Sequence, residues 1–195
     1  MSDRSTSARD VALIAVFAAL IAAFALVPAI PVGPLGVPIT LQTLGVALTG
    51  LILGPWRGFA ATTLYLAVGF AGLPVFAGGA AGLGVFAKPS IGYLLSFPLA
   101  AAVAGALATW FTRRGLRNRY LWFFIAGLIA SILVIHPMGI LGMSIVAQID
   151  LAKAALIDLA YWPGDIVKNF VAATIAVAVH KAFPLLMAGR QPALA

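Results

Sequence analysis

Tyr161-Trp162-Pro163-Gly164-Asp165-Ile166-Val167-Lys168 opens the last long apolar run of this chain, which continues to Pro184. Proline suits the first turn of a helix, where its missing N–H would be unpaired in any case and its φ is already helical. A helix is therefore expected from about residue 163. Asp165 and Lys168 stand three apart and share one face of it. An acid and an amine just inside the mouth of an apolar helix are costly in lipid unless they face a protein interior or a watered cavity, which marks them as a candidate site. They fit equally well a carboxylate at the positive end of the helix dipole beside a Lys that snorkels to the interface. The local residues leave both readings open.

Composition makes the surrounding medium a bilayer. Of 195 residues 63% are hydrophobic and 9% charged, with a mean hydropathy of +1.11. No water-soluble surface can be assembled from such a chain, and it reads as an integral membrane protein. The 20 Gly and 12 Pro belong to that class, since small residues let helices approach and prolines bound or bend them. The absence of cysteine excludes disulfides, thiolate metal sites and cysteine nucleophiles. Twelve Lys and Arg against five acidic residues give a net charge of +7, which membrane topology explains before nucleic acid does.

Working outward from the last helix, five further apolar segments give an expected single membrane domain of six transmembrane helices, all-α. The spans are 11–27, 39–53, 59–70, 91–111, 121–147 and 163–184. The first follows a polar start carrying Arg4 and Arg9 and is too long for a signal-peptide core, so it reads as an uncleaved span. Along it Ala15, Ala19 and Ala23 are four apart, a small-residue stripe suited either to a partner helix or to packing within the bundle. Pro28, Pro31, Pro34 and Pro38 then impose an extended loop. Thr40, Gln42 and Thr43 lie near the start of the second span, and Gly54-Pro55-Trp56-Arg57-Gly58 reads as a tight turn before the third. Both of these spans are short for a bilayer, which implies extension into the flanking turns or shielding by neighbours. Pro137 should bend the fifth span, and 150–161 reads as a short interfacial helix.

Between the third and fourth spans, residues 72–90 carry Gly72, Gly78, Gly79, Gly82 and Gly84 in a stretch too apolar for an ordinary solvated loop. A re-entrant segment folding back over the helix ends is expected, its backbone N–H groups open to a ligand. Gly82-Leu-Gly84-Val-Phe-Ala87 fits a loose dinucleotide fingerprint but has no βαβ context. Lys88-Pro89-Ser90 lacks the residues of a Walker A loop, so nothing here signals ATP hydrolysis. With both termini cytoplasmic, nine basic residues (Arg4, Arg9, Arg57, Arg113, Arg114, Arg117, Arg119, Lys181, Arg190) lie inside and three (Lys88, Lys153, Lys168) outside, the asymmetry of the positive-inside rule. The proline loop, the glycine loop and the Asp165 end of the last helix then converge on the outer face.

Catalytic groups are scarce. Ser144 lies near the outer end of the fifth span, and His180 is about 25 Å down the last helix from Pro163 at 1.5 Å per residue, so the two cannot form a dyad. His136 precedes a proline and reads as a kink or bundle-facing residue rather than a ligand or base. Two histidines and scattered aspartates give no metal spacing. Neither enzyme nor cofactor is expected.

The ordered motifs Val37-Pro-Ile-Thr40-Leu-Gln42-Thr-Leu-Gly45, Gly69-Phe-Ala-Gly72-Leu-Pro-Val-Phe-Ala-Gly78-Gly79, Gly82-Leu-Gly84, Pro89-Ser-Ile-Gly92-Tyr93-Leu and Pro163-Gly164-Asp165-x-x-Lys168 resemble the BioY family over about residues 10–185. Its members are the biotin-binding S components of energy-coupling-factor (ECF) vitamin transporters in the bacterial plasma membrane. The resemblance implies biotin held near the outer face. Asp165 would accept from the ureido N–H groups and Lys168 would donate to a ligand oxygen. Backbone at Gly78, Gly79 and Gly84 would close over the ligand, with Tyr93, Trp162 and Phe86 walling the rings. Gln42 is either a further contact or a helix-to-helix hydrogen bond. The implied partners are a transmembrane coupling protein, touching the Ala15/Ala19/Ala23 stripe, and two ATPase subunits. A self-sufficient carrier and an S component for another vitamin remain as alternatives. The chain departs from the family pattern at Ala80-Ala81, where a basic residue is common, and at Pro89-Ser-Ile-Gly-Tyr93. Lys88 stands where a small residue is usual, which suggests it as the counter-charge for the biotin carboxylate.

Overall fold

A buried twelve-residue helix, too short to cross a bilayer by itself, forms the centre of the molecule. The computed structural model describes residues 7–32, 35–184 and 186; Arg4, Pro34 and Arg190 lie outside the described residues. Among these residues the regular structure is helical, and pairing of extended backbone is limited to isolated bridges at Ile30/Ile39 and Phe76/Ala80. The central helix is α2, Gln42–Leu53, every residue of which is buried except Thr43. Twelve residues rise only about 18 Å against a hydrocarbon core of about 30 Å. The shortfall is harmless because protein surrounds it: α1 (Ala8–Leu26), α3 (Pro55–Phe70), α4 (Ile91–Arg113) and α8 (Trp162–Ala182) all pack on α2.

Close backbone approach fixes that packing. A Cβ on Gly50 would lie 2.4 Å from the Ala101 carbonyl oxygen of α4, and one on Gly105 would lie 2.5 Å from the Gly54 carbonyl carbon. Only glycine permits α2 and its following turn to press onto α4 in this way. Gly54, at φ 79°, makes that turn alone. Pro55 already occupies the first turn of α3, so the helix starts inside the 54–58 turn read from sequence and ahead of the span start expected at Phe59, for the N1 reason that also applies to Pro163.

Helix α1 is capped by Ser7, whose side chain and Asp10 satisfy each other's backbone N–H groups. It buries only Ala18, Ile21 and Ala25 against the bundle. Arg57 ties it down, reaching Asp10 at 3.4 Å and the carbonyls of Leu53 and Leu186. After α4, helix α5 (Arg119–Ala130) runs through a π-turn at Ser131–Ile135 into α6 (His136–Ala147). The bend expected at Pro137 takes this form: the residue before the proline donates to Ser131, five back, which widens the turn and points His136 inward. The short helix α7 (Leu151–Asp158), started by an Asp150 cap, exposes Leu151 and Leu156 and buries Ala154 and Asp158. Among the described residues three helical runs are long and apolar enough to cross a membrane: Ala8–Leu26, Ile91–Arg113 and Arg119–Ala147.

Candidate functional site

At the end of the bundle where α8 begins, the chain forms a partly open cavity of about 320 Å³, at the small end of the range for small-molecule sites. Leu35 to Thr40 of the proline loop form one wall, Phe76, Ala77, Ala80 and Val85 of the glycine-rich segment a second, and Tyr93, Leu94 and Phe97 of α4 a third. Gln42, Thr43, Lys88, Tyr161, Asp165 and Lys168 supply most of its polar atoms.

Asp165 sits in the first turn of α8, where the helix dipole favours a negative charge. Its Oδ1 accepts from Lys168 Nζ at 2.9 Å and from the Thr43 hydroxyl at 2.9 Å. Lys168 Nζ also donates to Thr43 Oγ1 at 3.0 Å. Acid, amine and hydroxyl thus form a closed triangle joining α2 to α8. One carboxylate oxygen is doubly used, and the other turns towards His136 Nε2 at 3.6 Å. The one-turn spacing of Asp165 and Lys168 seen in the sequence is a direct ion pair at the cavity wall, not a rim charge beside a snorkelling amine.

Behind the triangle lies a second polar group. The Asp158 carboxylate, 1% exposed, accepts from the Tyr93 hydroxyl at 2.5 Å and from Trp162 Nε1 at 2.8 Å, with His136 Nδ1 at 2.9 Å. His136 is itself stacked on the Trp162 indole, ring centres 4.9 Å apart. Asn169 donates to Ser131 in the π-turn and to the Asp165 carbonyl. The Tyr161 hydroxyl donates to the Val37 carbonyl at 3.0 Å and holds the proline loop. Burial, and then the nearby Asp158 charge, push the Tyr161 phenol above its ordinary range, so it stays a donor.

The glycine-rich segment is anchored where it leaves α3. The Phe76 ring lies over Gly69, where a Cβ would come within 2.2 Å of it, and packs edge-on to Tyr65 at 5.5 Å. Gly82 N–H donates to the Gly69 carbonyl at 2.8 Å. Gln42 donates to the Tyr65 hydroxyl at 2.6 Å, which donates to the Val75 carbonyl at 3.0 Å. Gln42 therefore makes the helix-to-helix hydrogen bond weighed in the sequence while also lining the cavity.

Of the residues singled out from sequence, Gln42, Lys88, Tyr93, Asp165 and Lys168 line the cavity. Lys88 is exposed and makes no ion pair among the described residues. Trp162 stands behind the wall with His136, and Phe86 packs on Phe70 at 5.0 Å. Gly78 and Gly79 form an exposed turn at φ 67° and 73°, and Gly84 is exposed beyond it. Thr43, Phe76, Tyr161, Asp158 and His136 were not assigned to the site from sequence. One signal for Asp158 was present, since Trp162 stands four residues on, across a helix junction, within reach of its carboxylate.

These features define a class: a helical membrane protein with a partly open, ligand-sized cavity whose polar wall is an acid, an amine and a hydroxyl. Comparison with known proteins narrows it. The model of the BioY family matches residues 1–185, and the chain belongs to that family. It is 40% identical over 184 residues to a biotin transporter BioY of Rhizobium etli, covering 93% of this chain and 98% of that one. It is likewise 40% identical over 191 residues to a biotin transporter BioY of Rhodobacter capsulatus, with the same coverage. A probable biotin transporter BioY of Bacillus subtilis is 37% identical over 176 residues, 90% of this chain and 92% of that one. The crystal structure of the S-component for biotin from an ECF-type ABC transporter superposes with a TM-score of 0.84 at 26% identity, over 93% of this chain and 95% of that one.

Proposed function

We propose that this chain is the biotin-binding subunit of an ECF transporter and that the cavity beside Asp165 is where biotin sits. It is a transport subunit, not an enzyme. The observation that carries the site is the 2.9 Å Asp165–Lys168 pair on the cavity wall. A cyclic urea presents N–H and C=O side by side, and this pair presents an acceptor and a donor side by side. Asp165 takes a ureido N–H and Lys168 shares its remaining protons with the ureido carbonyl. The sulfur ring lies against Tyr93 and the apolar wall of Leu94 and Phe97. The tail runs towards Lys88, the cavity's uncommitted cation.

Read as six spans, α1, α2, α3, α4, the α5–α6 run and α8 would put both termini on one side, which we infer to be the cytoplasm. The cavity then opens outward beneath a re-entrant glycine loop. Nine basic residues inside against three outside support that orientation. Energy for release comes from a coupling protein and two ATPases, through differential affinity between conformations. Ala15, Ala19 and Ala23, all exposed on α1, supply the docking stripe.

Calorimetric titration of the detergent-purified chain with biotin and desthiobiotin tests the reading. Submicromolar biotin binding is expected, weakened at least tenfold, or ~1.4 kcal/mol, in Asp165→Asn. No heat of binding with biotin in the unaltered chain would refute it.

A further inference from the structure

The Asp165–Lys168–Thr43 triangle uses one carboxylate oxygen of Asp165, and the geometry behind it shows what faces the other. Asp165 Oδ2 faces His136 Nε2 at 3.6 Å, beyond a hydrogen bond but within ion-pair reach. The other imidazole nitrogen, Nδ1, lies 2.9 Å from Asp158 Oδ2 and 3.0 Å from its Oδ1. An ionised carboxylate only accepts, so Nδ1 carries a proton. Asp158 therefore fixes the ring, and the ring backs the Asp165 carboxylate on the side away from Lys168 and Thr43.

The surroundings hold the imidazole in place: the Trp162 indole of α8 stacks on its face, and the Tyr93 hydroxyl of α4 donates to the Asp158 carboxylate and not to the imidazole. The π-turn at Ser131–Ile135 delivers His136 to this position, a use such turns often have.

We propose that His136 and Asp158 are positioning residues for the ligand, acting through Asp165: the imidazole, held by Asp158, backs the Asp165 carboxylate and fixes it in the orientation that receives the urea N–H. This rests on the reading of the cavity as a biotin site. His136 and Asp158 do not line the cavity and need not touch the ligand.

The test separates aiming from mere support. In the double variant His136→Gln/Asp158→Asn the ring and its carboxylate are replaced together by side chains that can still hydrogen-bond each other, so no carboxylate is left stranded, and the unliganded protein is expected to melt near the temperature of the unaltered chain. Biotin affinity, read by calorimetry on the purified full chain, is expected to fall at least fivefold. Biotin and biotin amide should lose the same factor, because the effect acts at the urea end and not at the tail. Asp158→Asn alone, the smaller change in shape, is the second variant and should show the same selective loss. A loss below fivefold in both variants, or a fall in melting temperature and affinity together, overturns the proposal. Failure of the unaltered chain to bind biotin at all would instead sink the assignment of the cavity.

Discussion

Two lysines reach the cavity, and their surroundings give them different work. Lys168 is held between Asp165 and Thr43 at 2.9 and 3.0 Å, so its charge is neutralised internally and its role is to donate in a fixed direction. Lys88 lines the same cavity without an ion-pair partner among the described residues. An anionic tail is attracted to the second, not the first. Lys88→Met is accordingly expected to weaken binding of free biotin about two- to fivefold, the range of a half-solvated ion pair, ~0.2–1 kcal/mol. Binding of biotin amide should not change. Lys168→Met should weaken both ligands alike, and calorimetry with the two ligands distinguishes the patterns. An unchanged preference for the free acid in Lys88→Met removes that residue from the tail. The Asp165–Lys168 pair was legible in the sequence because both residues lie on one helix and one-turn spacing fixes their shared face. His136 and Asp158 were not, since 22 residues and the junction between α6 and α7 separate them and only the tertiary fold sets their distance. Thr43 was hidden for a different reason: a threonine near a helix start is ordinary until the acid and amine of another helix are seen to meet on it.

At the scale of elements, the glycine-rich segment is pinned at one point and free at another. Phe76 is 1% exposed, and its ring occupies the space where a side chain on Gly69 would be. Gly78 and Gly79, at the tip, would meet nothing within 4 Å if given a Cβ. Gly69→Ala must therefore displace the Phe76 ring, at a cost of ~1–3 kcal/mol for overpacking. That expels the residue forming the cavity wall beside Gln42 and Tyr65. Gly78→Ala strains only an exposed left-handed turn. The expectation is that Gly69→Ala speeds biotin dissociation at least tenfold in a chase with unlabelled ligand, whereas Gly78→Ala changes it less than threefold. Equal effects would mean that the tip, and not the Phe76 anchor, governs closure. The sequence announced an unusual loop through its glycines but could not say which one a ring would cover, because that depends on how α3 returns beneath the segment. The bend at Pro137 was similarly legible, while its π-turn was not: a five-residue hydrogen-bond register is chosen by packing on α4 and α8, not by local propensity.

For the whole molecule, α1 poses a question that the bundle does not answer. It meets α2 and α3 through Ala18, Ile21 and Ala25, and its Ala15, Ala19 and Ala23 are exposed. Lipid tails are indifferent to side-chain size, whereas another helix can approach closely only over small residues, so an exposed alanine stripe is better explained by a protein partner than by bilayer. The cavity lies elsewhere, walled by the proline loop, the glycine-rich segment, α2, α4 and α8, and nothing on this α1 stripe lines it. Ligand binding and partner docking should therefore be separable. Ala19→Trp is expected to leave biotin affinity within twofold of the unaltered chain by calorimetry. It should lower ATP-dependent uptake at least tenfold in liposomes holding the chain with its coupling protein and ATPases. Leu133→Trp, on another exposed face at 68% exposure, controls for the burden of a large side chain in lipid and should transport normally. Uptake by Ala19→Trp at the native rate would free α1 of a docking role and move the search to the other exposed helix faces. Uptake by liposomes containing this chain alone, undiminished by the substitution, would show that no partner is needed to move biotin.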